Sequence, residues 1–239
     1  MTLLLDGRTA VVSGASRGIG LAVARALTEN GARVVILARS ADELAQRAAE
    51  LGPRAHPVAC DVGNASAVEG AVAAIRQHCG AAPDIIVNNA GLFRLESIER
   101  TTVGELERTL AVNLVAPFRL LHAFLPELRA RGRGHVVAIG SIADHTTFPE
   151  NGAYAASKYA LRALHEVLRA ELKGSGVRVT VVSPGPVDTP LWDPIRPDTR
   201  DGFTPRSAML PAEAVAASVL FAVTQPPEVD VELIRLSRS

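Results

Sequence analysis

The chain has 239 residues, of which 48% are apolar and only 4% aromatic, and its 25 Lys and Arg balance 25 Asp and Glu to a formal net charge of zero. That length buries a substantial core, and the absence of a basic excess argues against nucleic acid or an anionic membrane as partner, leaving a small molecule as the expected ligand. Cys60 and Cys79 lack CxxC spacing and a His/Cys cluster, so buried free thiols are expected rather than a disulfide or a zinc site.

The opening MTLLLDGR has too short an apolar stretch and no basic region for a signal peptide, and no segment reads as a membrane span. A soluble, cytoplasmic protein is expected. Short Val/Ile-rich runs then alternate with longer segments of helical period, the pattern of repeated βαβ units on a parallel sheet. The runs predict strands at 9–13, 33–37, 55–59, 84–87, 135–139, 177–183 and 229–236. Helices are predicted at 18–30, 42–51, 65–79, 103–130, 153–173 and 211–223. No linker-like shift in composition divides the chain, so one domain spans 1–239. The stretch 188–211 carries five prolines and neither period, so it reads as a long excursion over the sheet edge, a lid over a substrate.

Between the first strand and first helix runs Ser13-Gly14-Ala15-Ser16-Arg17-Gly18-Ile19-Gly20. Glycines there let the backbone approach a pyrophosphate and leave helix N-terminal amides facing it, so this turn predicts a nucleotide site. An acidic residue ending the second strand would select NAD; here Ala38, Arg39 and Ser40 stand there instead. With Arg17 they favour the 2′-phosphate of NADP, because a guanidinium fork matches phosphate.

Tyr154 and Lys158 are four apart and share a face if helical. A phenol titrates near ~10 in water. A neighbouring ammonium is expected to bring it down into the range of an acid–base group. Lys158 is one of two lysines among the 25 Lys and Arg, which suggests that a compact ammonium is required at that place.

With these pieces the sequence resembles the classical short-chain dehydrogenase/reductases over nearly its whole length. The motifs carrying the resemblance are SGASRGIG at 13–20, Asp61-Val62, NNAG at 88–91, Asn113, Ser141, the Tyr154/Lys158 pair, and Pro184-Gly185 with Thr189. The resemblance implies a three-layer doubly wound Rossmann fold with a seven-stranded parallel sheet and an NADPH-dependent oxidoreductase reducing a ketone or aldehyde. It implies that Tyr154 exchanges a proton with the substrate oxygen, Lys158 lowers its pKa and holds the nicotinamide ribose, Ser141 orients the carbonyl, and Asn113 completes a proton relay. Gly14, Ser16, Arg17, Gly18, Ile19, Gly20, Arg39, Ser40, Asp61, Val62, Asn89, Ala90, Gly91, Pro184, Gly185, Val187 and Thr189 would then bind NADP(H) together with Tyr154 and Lys158, and no metal is required. Ser13 replaces the family's commoner threonine and keeps the hydroxyl. The ending EVDVELIRLSRS departs from the usual C-terminus and puts subunit contacts and the outer pocket wall in doubt.

The expected pocket residues, 92–94, 142–148, 185–187, Leu191 and Trp192, are mostly apolar and suit a hydrophobic carbonyl compound, with Arg94 or His145 as candidate anchors for a substrate carboxylate. The 103–130 segment is apolar around most of its circumference, so a second contact is expected from another subunit, as homodimer or homotetramer. Two readings compete. One is a ketoreductase acting on carrier-bound 3-oxoacyl thioesters, for which Arg129, Arg131 and Arg133 would form the carrier patch; the other is an NADP-sensing binding protein without turnover.

Overall fold

The computed structural model describes residues 3–239; Met1 and Thr2 of the opening MTLLLDGR segment lie outside the described residues. Seven strands, β1 Thr9–Ser13, β2 Arg33–Ala38, β3 Ala55–Ala59, β4 Ile85–Asn88, β5 Gly134–Ile139, β6 Val177–Pro184 and β7 Leu233–Leu236, form one sheet in the order β3-β2-β1-β4-β5-β6-β7. Every neighbouring pair is parallel. The chain begins at the centre, winds outward to β3, and returns to β4 on the other side of β1. The strand order therefore reverses at β1 and β4, where a doubly wound sheet opens a crevice beyond its C-terminal strand ends.

The period-2 alternation of the strands sorts the core into two apolar layers. Val12, Val34 and Ile36 face α1 (Gly18–Glu29) and α7 (Ala212–Thr224), while Val11, Val35 and Leu37 pack on the opposite side with α3 (Ala65–Cys79) and the helical stretch after residue 103. With α2 (Ala41–Leu51) beside β3, this is the expected three-layer Rossmann arrangement. Pro57, which cannot donate to a ladder, sits in the edge strand β3.

Four expectations are corrected. The predicted 103–130 helix is interrupted: α4 Val103–Leu110 and α5 Ala116–Arg131 are joined by a π-helical turn, Ala111–Val115. Ala116 N–H bonds back to Ala111 O, five residues away, and Pro117 has no N–H to offer the Asn113 carbonyl. Contrary to the sequence reading, the continuous 103–131 stretch is long and apolar enough to cross a membrane, yet Val112, Ala116, Leu120, Leu121, Phe124 and Leu128 are buried in the sheet-facing core. The last strand begins at Leu233 and not at 229. The 188–211 segment is no featureless loop: it contains three short 3-10 turns and is closed at its base by Asp188 N–H to Leu210 O at 2.8 Å and Leu210 N–H to Pro186 O at 2.9 Å.

At the opposite, N-terminal end of the sheet the Asp84 carboxylate accepts from Thr9 N (2.9 Å) and Thr9 Oγ1 (3.1 Å), with Arg131 Nη2 at 3.5 Å. Arg131 also donates to the carbonyls of Ala82 (3.0 Å) and Pro83 (3.2 Å), and Arg129 to Glu171 O (3.0 Å), so these two arginines close the fold rather than form a free basic patch. Replacing Asp84 by Ala strands a buried donor and a half-buried guanidinium. Urea unfolding of Asp84→Ala should show a loss of about 3 kcal/mol.

Candidate active site

The site grows from the shared C-terminal edge of β1, β4, β5 and β6. The β1–α1 turn carries Gly14 at φ +67°, and a Cβ built there would lie 2.8 Å from Ala90 Cα, so only glycine lets this turn meet the 88–91 segment. Ser13 Oγ accepts from Asn89 N and Ala90 N, both at 3.0 Å, and the Asn89 amide donates to Ser13 O (2.8 Å) and Gly14 O (3.1 Å). The hydroxyl that distinguishes Ser13 from an apolar residue thus welds the glycine turn to the NNAG segment. Helix α1 starts with no side-chain cap and no acid in its first turn, leaving its amides free to face an anion.

These turns wall a cleft of ≈ 1010 Å³. Of the residues expected to bind a nucleotide, Gly14, Ser16, Arg17, Gly18, Ile19, Arg39, Ser40, Asp61, Val62, Asn89, Ala90, Gly91 and Thr189 line it. Arg17 and Arg39 are exposed, and among the described residues neither forms an ion pair. A dinucleotide fits these features: open helix amides for the pyrophosphate and two free guanidiniums, Arg17 in the β1–α1 turn and Arg39 after β2, on the same cleft for a further phosphate. Gly18 makes room for Thr189, whose Cβ lies 3.2 Å from a Cβ built on Gly18.

Gly20, Pro184, Gly185 and Val187 do not line the cleft. A Cβ on Gly20 would collide with Gly14 O, so that glycine serves packing. Val187 is buried in the core, Pro184 ends β6, and Gly185 N–H bonds to Leu236 O at 2.8 Å. The cleft also includes residues the sequence reading missed, among them Glu43, Cys60, Asn64 and Arg108. Asn64 has a readable signal, because its Oδ1 caps α3 by accepting from Ala67 N at 3.0 Å just after Asp61. Glu43 lies in the first turn of α2, one turn beyond the expected ribose position.

Tyr154 and Lys158 stand one turn apart on α6 (Gly152–Leu172), with Lys158 Nζ 5.6 Å from the phenol ring centroid. Lys158 is buried and donates to Ile139 O, the last residue of β5, at 2.7 Å. Asn113 sits in the π turn, buried, its Oδ1 accepting from Leu92 N (2.7 Å) and its Nδ2 donating to Leu92 O (3.0 Å) and Ser157 Oγ (2.9 Å). Ser141 follows β5 and caps a 3-10 turn, Ile142–Asp144. Gly91 joins the two halves: a Cβ built on it lies 3.6 Å from Asn113 Oδ1 and 4.0 Å from Lys158 Nζ. Asn113 and Lys158 thus stand directly behind Gly91 of the cleft wall, with Tyr154 beside Lys158 and Ser141 beside Tyr154, although none of the four expected catalytic residues lines the cleft itself.

The electrostatics differ from the expectation that Lys158 draws the Tyr154 pKa down. Burial dominates and pushes the phenol up to about 12, opposed by hydrogen bonding from the Ser141 side chain, while the Asp144 charge adds to the rise. Burial also brings Lys158 down to about 8, against the pull of Asp144. The arrangement thus holds a proton on the phenol firmly and the charge of the ammonium only loosely.

On the substrate side, Phe93 meets Tyr154 edge-on at 4.7 Å between ring centroids and Trp192 at 5.1 Å, forming an apolar aromatic wall. Arg94 is exposed and pairs with Glu105. The His145 Nδ1 sits 2.6 Å from Asp144 Oδ1. Both candidate anchors therefore already have carboxylate partners within the fold.

The short chain dehydrogenase family model matches residues 8–200. D-threitol dehydrogenase of Mycolicibacterium smegmatis is 36% identical over 224 residues, covering 91% of this chain and 86% of that protein. Glycine betaine reductase of Emericella nidulans is 38% identical over 232 residues, covering 94% of this chain, which spans only 18% of that protein's length. Among solved structures, a metagenomic short-chain oxidoreductase in complex with NADP superposes with a TM-score of 0.85 at 32% identity, covering 99% of both chains. With the motif residues gathered at one sheet edge and a family match over most of its length, the chain belongs to the short-chain dehydrogenase/reductase family of oxidoreductases.

Proposed function

We propose that the chain is an NADPH-dependent reductase of a ketone or aldehyde, working reversibly on the corresponding alcohol, with Tyr154 as the acid–base group. The observation that carries this reading is the grouping of Ser141, Tyr154 and Lys158 with Asn113, of which Asn113 Oδ1 and Lys158 Nζ stand against Gly91 in the wall of a dinucleotide-sized cleft. When bound, reduced nicotinamide supplies a hydride to the carbonyl carbon. The Tyr154 phenol gives its proton to the carbonyl oxygen as charge develops there, and the Ser141 hydroxyl supports that oxygen. Lys158 holds positive charge next to the phenol. In this reading the Asn113 carbonyl, to which Pro117 has no N–H to offer, would seat a water leading the replacement proton in from solvent. Arg17 and Arg39 would hold the 2′-phosphate, and Thr189 the nicotinamide end.

The Phe93, Tyr154 and Trp192 wall supports an apolar carbonyl substrate, and the 188–211 segment is its lid. Arg206 ties that lid to Asp188 (3.0 Å) and Asp193, and Arg238 of the C-terminus donates to the carbonyls of Ser207 (2.6 Å) and Met209 (2.8 Å) at its base. Val115 and Phe118 on the 103–131 stretch, with Tyr159 and Val167 on α6, leave apolar surface exposed, which supports self-association through these helices.

In a reductase assay Tyr154→Phe should lower kcat by about 10²–10⁴-fold while NADPH still binds; turnover near the parent rate would remove Tyr154 from its role. Arg39→Ala should raise the Michaelis constant for NADPH by about 10- to 100-fold with little change for NADH, and an equal effect on both would reject a phosphate contact. The ammonium of Lys158 is present below its pKa and lost above it. Reductive kcat/KM should therefore fall as pH rises through about 8, a limb that a stopped-flow pH series will locate.

A further inference from the structure

The 3-10 turn after β5 holds a carboxylate that the reaction described above does not use. Asp144 is fully buried, and its side chain accepts three hydrogen bonds. Ser183 Oγ, at the end of β6, donates to Oδ2; Ser141 N–H donates to the same oxygen at 3.3 Å; and His145 Nδ1 lies 2.6 Å from Oδ1. Ser141 returns the contact by accepting from Ala143 N at 3.1 Å, so Ser141 and Asp144 cap each other's turn in the Ser-x-x-Asp spacing of a capping box.

Glycine at position 140 is demanded by this carboxylate. A Cβ there would lie 2.5 Å from Asp144 Oδ2 and 2.7 Å from Ser183 Oγ, so the backbone is kept bare to admit the acid. The charged and titratable groups around Asp144 are His145 on its own segment and Tyr154, Lys158 and Arg162 from α6; Ser141 of the same turn and Ser183 of β6 are uncharged. Arg162 Nη1 reaches the Asp144 backbone carbonyl at 3.3 Å, and its Nε is engaged by Glu166 at 2.7 Å, so no arginine neutralises the Asp144 side chain directly.

We propose that Asp144 is a positioning residue for the reaction: its carboxylate locks the Ser141 turn onto β6 and, lying against Gly140 one residue beyond the Ile139 carbonyl that holds Lys158 Nζ, brings its negative charge to the Tyr154–Lys158 pair. Resting on the reductase reading above, this charge favours the phenol and the ammonium together, the two forms that carbonyl reduction consumes or needs. The site is thereby biased toward holding its proton until the substrate oxygen takes it. The same carboxylate engages His145 Nδ1.

The test compares pH profiles of NADPH-dependent reduction for Asp144→Asn, Asp144→Glu and Ser183→Ala, with NADPH affinity measured alongside. Asp144→Asn removes the charge and should move the alkaline limb of kcat/KM to lower pH by on the order of 1 unit, with NADPH affinity unchanged. Asp144→Glu and Ser183→Ala keep the charge while disturbing the turn, so they should lower kcat and leave the limb in place. An unmoved limb in Asp144→Asn, or an equal movement in Ser183→Ala, overturns the proposal. If Asp144→Asn does not fold, Asp144→Ser, a smaller neutral residue against Gly140, answers to the same outcomes. Tyr154→Phe run in parallel separates the two failures: surviving turnover there sinks the reductase reading itself, whereas a dead Tyr154→Phe with an unmoved Asp144→Asn limb sinks only the role of Asp144.

Discussion

The buried ammonium of Lys158 is the constraint around which the site is assembled. A charge taken out of water must be compensated, and here the compensation comes from a backbone carbonyl, that of Ile139, at the tip of β5. That bond fixes the rotation of α6 over the sheet, and the rotation decides which residues face the strand tips. Tyr154, one turn earlier, consequently stands at the C-terminal edge where the cleft opens. The same helix supplies Ser157, whose hydroxyl donates to Tyr154 O and accepts from Asn113. A single orientation of α6 therefore couples the phenol, the ammonium and the π turn.

The second half of the site is held by hydroxyl and amide bonds in place of charge. Ser13 joins β1 to the segment after β4, and Asn113 reads both backbone groups of Leu92, so the walls that meet at Gly91 are fixed from two sides. Such fully partnered polar contacts specify geometry strongly because every alternative packing leaves a buried donor unmet. The 188–211 segment lies outside this frame: backbone bonds close its base, but across its span it is tied by exposed Arg206 ion pairs that contribute less and rearrange more readily.

Much of this was legible in the sequence. Short Val/Ile-rich runs located β1 to β6 to within a residue or two, and the glycine turn announced the cleft because tight backbone approach leaves so few residue types permitted. The π turn was not legible: Ala111–Val115 continues the helical pattern, and only Pro117, which lacks an N–H, hints at an interrupted ladder. Gly20 and Val187 pack behind the cleft and do not line it, a distinction the motif does not carry because it records close packing and ligand contact alike. The late start of β7 reflects edge pairing limited to Leu233–Leu236, which no local period reveals. The rise of the Tyr154 pKa could not be read from spacing either, since burial outweighs a neighbouring charge and spacing carries no information on burial. Asp144, by contrast, carried a sequence signal in its three-residue distance from Ser141.

Whether these parts act as one hydride-transfer site is tested most directly by following the transferred hydrogen. With NADPH deuterated at the transferable position of its nicotinamide C4 and a prochiral ketone as substrate, mass spectrometry of the alcohol should find deuterium at the carbinol carbon, in a single stereochemical sense. NADPH that binds the protein yet yields no labelled alcohol across ketones and aldehydes would contradict the account.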